Sequence, residues 1–121
     1  MSHGLPEGIL QNQREEIVEF LVEFDVKVPA GTPESEVEDR EKAEAAAAAK
    51  LVHQGNLVRV WKRPVPNGKD TVVGLYRADN EVQLEGLLRA LPLYEWMHIT
   101  ITPLEPHPND PAAAQTDRSQ Q

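Results

Sequence analysis

The chain contains no cysteine, which removes disulfides, thiolate zinc sites and cysteine nucleophiles from consideration. It has no apolar run approaching the ~20 residues that a membrane-spanning helix needs. Its opening segment, Met1 to Gln13, lacks the basic-then-apolar order of a secretory signal. Basic side chains are also short: 12 Lys and Arg stand against 20 Asp and Glu, a formal net charge of -8. A nucleic-acid binder needs clustered cations to displace counterions from phosphates, and an anionic lipid surface repels an acidic chain. Neither partner is expected. Missing too are a phosphate-cradling glycine loop, an HExxH pair and a nucleophile elbow. His3, His53, His98 and His107 form no pair at a helical ligand spacing, so no metal site is expected. What remains is 121 residues, 40% hydrophobic and 26% charged, an ordinary composition for one globular domain. The cytoplasm is the expected compartment.

Residues 1–16 read as a flexible extension with at most a short helix from Leu10 to Glu16, residues 17–103 as the folding unit, and residues 104–121 as a tail marked by Pro106, Pro108 and Pro111. Within the unit, Phe20, Val22, Phe24, Val26 and Val28 alternate with Leu21, Glu23, Asp25 and Lys27, a period of two that predicts a strand ended by Pro29. A long helix is predicted from Pro33 to Gln54. Thr32-Pro33, or Ser35 with Glu38, starts it, and Gly55 stops it. Its apolar stripe is read through Val37, Ala45, Ala48 and Leu51 or Val52. Leu57 to Trp61 and Thr71 to Tyr76 are predicted strands joined through an Asn67-Gly68 turn. Asp79 or Asn80 caps a second helix burying Val82 or Gln83, Leu84, Leu87, Leu88 and Leu91, with Pro92 at its end, and Met97 to Thr102 forms the last strand. The order βαββαβ is the α+β, ferredoxin-like split βαβ plan, a four-stranded antiparallel sheet with both helices on one face. The other face is left open.

Carboxylates are the main candidates for chemistry. The run Glu36-Val37-Glu38-Asp39-Arg40-Glu41-Lys42 reads mostly as a solvated face, because Glu36 with Arg40 and Glu38 with Lys42 are favourable i,i+4 pairs. Glu41 is the exception. It lies four residues from Val37 and four from Ala45, which puts it on the apolar stripe, where desolvation raises a carboxyl toward the range useful for proton transfer. The competing reading sets it at the stripe's edge, reaching water, and Glu44 one turn on supports that. On the strands, if Leu57, Arg59 and Trp61 face outward, Arg59 and Trp61 join Glu23, Asp25 and Lys27 on the open face, with His98, Thr100 and Thr102 beside them; the plainer reading makes Trp61 a packing residue and His98 a structural one.

Five stretches carry a family resemblance: Phe20 to Pro29, Arg40-Glu41-Lys42-Ala43, His53-Gln54-Gly55 leading to Val60-Trp61, Leu91-Pro92-Leu93 before Met97, and Thr102-Pro103-Leu104 with His107-Pro108. In that order and spacing the chain resembles the muconolactone delta-isomerases. The resemblance implies movement of a double bond in an unsaturated lactone, in aromatic degradation by the 3-oxoadipate route, without metal or organic cofactor. A helix glutamate shuttles the proton, and the matching residue is Glu41. It also implies a homo-oligomer, typically a decamer, with the C-terminal tail on a neighbouring subunit. Two positions depart from the family: Glu38 stands at the place of a helix lysine, and Lys62 at the place of an arginine after the tryptophan. Glu38, Arg59, Trp61, Lys62 and His98 are the expected substrate contacts. The Glu38 departure keeps a second reading open, a family-fold protein with a different substrate or a non-catalytic ligand-binding or assembly role.

Overall fold

Backbone pairing carries the strands further than local sequence signals do. In the computed structural model, which describes residues 17–66 and 68–112, β1 (Val18–Val26) is followed by α1 (Glu34–His53), β2 (Leu57–Arg63), β3 (Thr71–Ala78), α2 (Glu81–Arg89), a 3-10 turn (Tyr94–Trp96) and β4 (Met97–Leu104). The sheet order is β2-β3-β1-β4, every pair antiparallel. This is the expected ferredoxin-like α+β arrangement. β2, β3 and β4 run past their predicted ends because the ladder continues, with Arg63 opposite Thr71, Ala78 opposite Val18 and Leu104 opposite Glu19.

The period of two in β1 sends Phe20, Val22 and Phe24 to one face, where they meet Leu51 of α1 and Leu84 and Leu88 of α2. Both helices therefore cover the same side of the sheet. Register puts Val72, Gly74, Tyr76 and Ala78 of β3, and Met97, Ile99 and Ile101 of β4, on that side as well. The opposite face carries Glu19, Glu23, Asp25, Arg59, Trp61, Arg63 and His98. It is stitched by ion pairs such as Arg63–Glu23 at 3.2 Å and Arg77–Glu19 at 3.0 Å.

Several local expectations change. The position before α1 is Pro33 and has no side-chain cap; the Thr32 hydroxyl donates instead to the Pro29 carbonyl at 2.7 Å. Asn80 rather than Asp79 caps α2, accepting from the Gln83 N–H at 2.8 Å. Val82 is 78% exposed, and α2 ends at Arg89, ahead of Pro92. Gly55, at φ +85°, supplies the left-handed residue that follows α1. The predicted extension 1–16 with its helix, Asn67 of the predicted turn, and the tail beyond Ala112 lie outside the described residues. Among the described residues no helix is long and apolar enough to cross a membrane.

Leu84 is fully buried where α2 meets the sheet. Leu84→Ala is expected to destabilise the chain by about 2–5 kcal/mol, read by urea unfolding.

Candidate active site

The rotation of α1 is set from its C-terminal end. Leu51 is buried in the core, and stepping back by threes and fours brings Ala48, Ala47, Glu44, Arg40 and Val37 to the sheet side. Ala45 is exposed and Val52 is 55% exposed, so the stripe runs one step round the helix from its predicted line. Two charged residues on this inward face hold the turn after α2. Arg40 donates through Nη1 to Glu95 Oε1 at 2.8 Å and to the Pro92 carbonyl at 3.3 Å, with its guanidinium 4.4 Å from the centre of the Trp96 ring. Glu44 accepts the Leu93 N–H on Oε1 at 3.0 Å. Burial pushes the Glu44 carboxyl above its ordinary range, and the Leu93 bond pulls it partly back.

Glu44 borders a cleft of about 190 Å³ between α1 and the sheet. Phe24, Val60, Val72, Leu93 and Met97 line it, and Tyr76 and Gly74 complete its β3 side. The Tyr76 ring is 4% exposed and packs against Phe24 with centroids 6.0 Å apart. It leans back along its own strand over Gly74, where an added Cβ would stand 2.8 Å from Tyr76 Cε1. Burial, and then the Glu44 charge, raises the Tyr76 hydroxyl well above the usual tyrosine range. A wider groove of about 290 Å³ between the helices, bordered by Lys50, Gln54 and Gly86, has no carboxylate in its lining.

The expected site residues are divided by the sheet. Glu41 and Glu38 are on α1 but exposed, so the desolvation expected at Glu41 falls instead on Glu44, one turn on. Lys62 lies opposite Val72 in register, on the cleft side, beyond Val60; its ammonium is exposed and 3.8 Å from Asp70. Leu57, grouped with Arg59 and Trp61 in the expectation, is instead buried on the core side, because the strand register shifts between Leu57 and Arg59. Arg59 and Trp61 occupy the open face, with the guanidinium 4.9 Å from the Trp61 ring, and His98 stands there opposite Asp25. None of these three borders the cleft. Among the described residues no group of three or more His, Asp or Glu is placed to hold a metal ion.

Glu44 and Tyr76 are the two cleft residues that sequence reasoning missed. The signal for Glu44 was its distance of seven residues, two helical turns, from Leu51. For Tyr76 it was the glycine two positions earlier on the same strand face, which marks a close approach.

The model of one protein family, muconolactone delta-isomerase, matches residues 18–110. The muconolactone delta-isomerase of Cupriavidus pinatubonensis is 30% identical over 90 residues, covering 74% of this chain and 95% of its own length. That of Acinetobacter baylyi is 27% identical over 90 residues, covering 74% of this chain and 91% of its own. A crystal structure of muconolactone isomerase superposes with a TM-score of 0.67 at 22% identity, over 77% of this chain and 94% of that one. At that identity the likeness speaks for the fold.

Gly74→Ala forces the Tyr76 ring against a new methyl group, and a loss of about 1–3 kcal/mol is expected in urea unfolding. A second expectation concerns pH. Because the folded chain holds the Glu44 proton more tightly than the unfolded chain, stability from this group grows as pH falls from above the raised value toward the ordinary 4.5 and is lost as pH rises. Glu44→Gln keeps an acceptor for Leu93 and removes the titration. The stability of the wild type relative to this variant should therefore increase on acidification through that window; a difference that is flat or shrinks would contradict the assignment.

Proposed function

The chain belongs to the muconolactone delta-isomerase family, and we propose that it moves a double bond within an unsaturated lactone, with Glu44 taking and returning the proton. The observation that carries this reading is a half-buried carboxylate facing an otherwise mostly apolar cleft. Oε1 is held by Leu93, while Oε2 has no hydrogen-bond donor among the described residues. One oxygen is thus anchored and the other is available to a substrate. Desolvation makes the carboxylate a stronger base than a glutamate in water, suited to removing an activated carbon-bound proton near neutral pH.

In such a lactone the C–H bond next to the C=C breaks, its proton passes to Glu44, and the electron pair spreads through the conjugated system to the carbonyl oxygen. The same proton then forms a C–H bond at the carbon beside the carbonyl, which shifts the double bond and restores the carboxylate. Atoms and electrons balance within one molecule, so the step calls on no cofactor. Lys62, on the cleft side of β2, is the proposed counter-ion for a free carboxylate on the substrate. The cation one turn before Glu44 is Arg40, already engaged by Glu36, Glu95 and the Pro92 carbonyl. Arg59, Trp61 and His98 belong to the open sheet face, which we assign to assembly of a homo-oligomer in the cytoplasm. Within the lactone reading, the 3-oxoadipate route of aromatic degradation is the proposed setting.

One observation favours the second reading, a family-fold protein without this reaction: the Leu93 bond gives Glu44 a structural task of its own. Kinetics with muconolactone, followed by ultraviolet absorbance, separates the two. Glu44→Gln is expected to lower kcat by ~10²–10⁴ with the fold intact, and Glu41→Gln to change it only a few-fold. Lys62→Met is expected to raise KM more than it lowers kcat. Loss of turnover in Glu41→Gln with Glu44→Gln active would return the proton shuttle to Glu41, and a wild type inert toward muconolactone would favour the second reading.

A further inference from the structure

We propose that the Tyr76 hydroxyl is the hydrogen-bond donor to the lactone carbonyl oxygen, a second catalytic residue acting with Glu44. This rests on the lactone reading above and names a group which that reading does not need.

Apart from Glu44 and Tyr76, every side chain lining the cleft is apolar, and Gly74 has none. A buried tyrosine normally finds a partner for its hydroxyl. Tyr76 is 4% exposed, yet its hydroxyl makes no hydrogen bond to any described residue. No buried side-chain polar atom lacks a partner among the described residues, so the Tyr76 oxygen keeps an accessible surface, and the residue lines the cleft.

The ring's direction is built in. Gly74 leaves the space that a Cβ would fill at 2.8 Å from Cε1, and Phe24 supports the ring at 6.0 Å between centroids. A mid-strand glycine costs roughly 0.5–1 kcal/mol against alanine, and here it lets the ring lie back along β3, in the cleft that Glu44 also borders.

Charge movement gives the hydroxyl its task. When Glu44 takes the proton, negative charge leaves the carboxylate and gathers on the carbonyl oxygen inside an apolar cleft. A fixed donor aimed at that oxygen is worth most there. Two other donors near the cleft are occupied: the Leu93 N–H by Glu44 and Arg40 by its carboxylates and the Pro92 carbonyl. Burial and the Glu44 charge keep the phenol protonated, so it remains a donor through the cycle. Its O–H bond stays intact while the carbon-bound proton travels by way of Glu44.

Tyr76→Phe keeps the ring and removes only the donor. With muconolactone as probe, the variant should fold normally and lose ~10²–10³ in kcat, as for removal of one oxyanion donor, with KM changed a few-fold. A second readout is independent of turnover. In a Glu44→Gln background, which holds the lactone unreacted, the infrared carbonyl stretch of carbonyl-¹³C muconolactone should rise toward its position in apolar solvent when Tyr76→Phe is added. 3-Fluorotyrosine placed at position 76, a stronger donor of nearly the same shape, should move it the other way. A stretch unmoved by these changes, or kcat within about three-fold of an active wild type, would overturn the role of Tyr76 and leave that of Glu44 standing. A lactone that binds but is not turned over by the wild type, with the stretch still responding, would overturn the isomerase reading and keep Tyr76 as the carbonyl ligand. A lactone that does not bind at all would overturn both.

Discussion

The Leu93 N–H donated to the Glu44 carboxylate at 3.0 Å is the contact on which the cleft depends. An acid on the sheet side of a helix is costly to keep ionised unless something stabilises its charge. The turn after α2 does so with a backbone donor, while Arg40, one helical turn earlier, takes the Pro92 carbonyl of the same turn. The two bonds hold this stretch of α1 against the turn. They also bring Leu93 and, through the start of β4, Met97 to the cleft wall. The core end of α1 is set separately by Leu51, so the helix is held at Arg40 and Glu44 and again two turns further on.

β1 illustrates why the fold was legible in the sequence. Its alternation of Phe20, Val22, Phe24 and Val26 with Leu21, Glu23, Asp25 and Lys27 identifies a half-buried strand by itself, and the order of the remaining elements leaves few topologies to consider. The stripe of α1 was harder to read. With alanine at every position from 45 to 49, apolar character gives almost no angular information, and the helix can be drawn facing either Glu41 or Glu44. The choice is made by Arg40 and Glu44 meeting a turn about fifty residues away, a contact with no local signature. Tyr76 reads as part of a β-forming run, and nothing in that run says that its hydroxyl finds no partner.

The sheet also sorts charge by face. Its open side carries carboxylates and guanidiniums in pairs, such as Arg63–Glu23 and Arg77–Glu19, exposed interactions worth little individually. The cleft between α1 and the sheet sets one half-buried acid and one phenol among apolar residues, where the low dielectric magnifies each. Arg59, Trp61 and His98 are chemically suggestive residues, but the backbone period of two sends them away from the cleft. The same period brings Lys62, one residue past Trp61, to the cleft side. A strand can therefore offer binding groups to two unrelated tasks, and residue type alone does not say which task each one serves.

Chemistry at the cleft depends on Glu44 being its desolvated carboxylate. The most direct measurement is a carbon-detected NMR titration of the glutamate side-chain carboxyls, with Glu44 assigned by its loss in Glu44→Gln. This resonance is expected to titrate above the ordinary glutamate value of 4.5 and to shift when muconolactone is added. A Glu44 carboxyl that titrates at or below that value and does not respond to the lactone would contradict it.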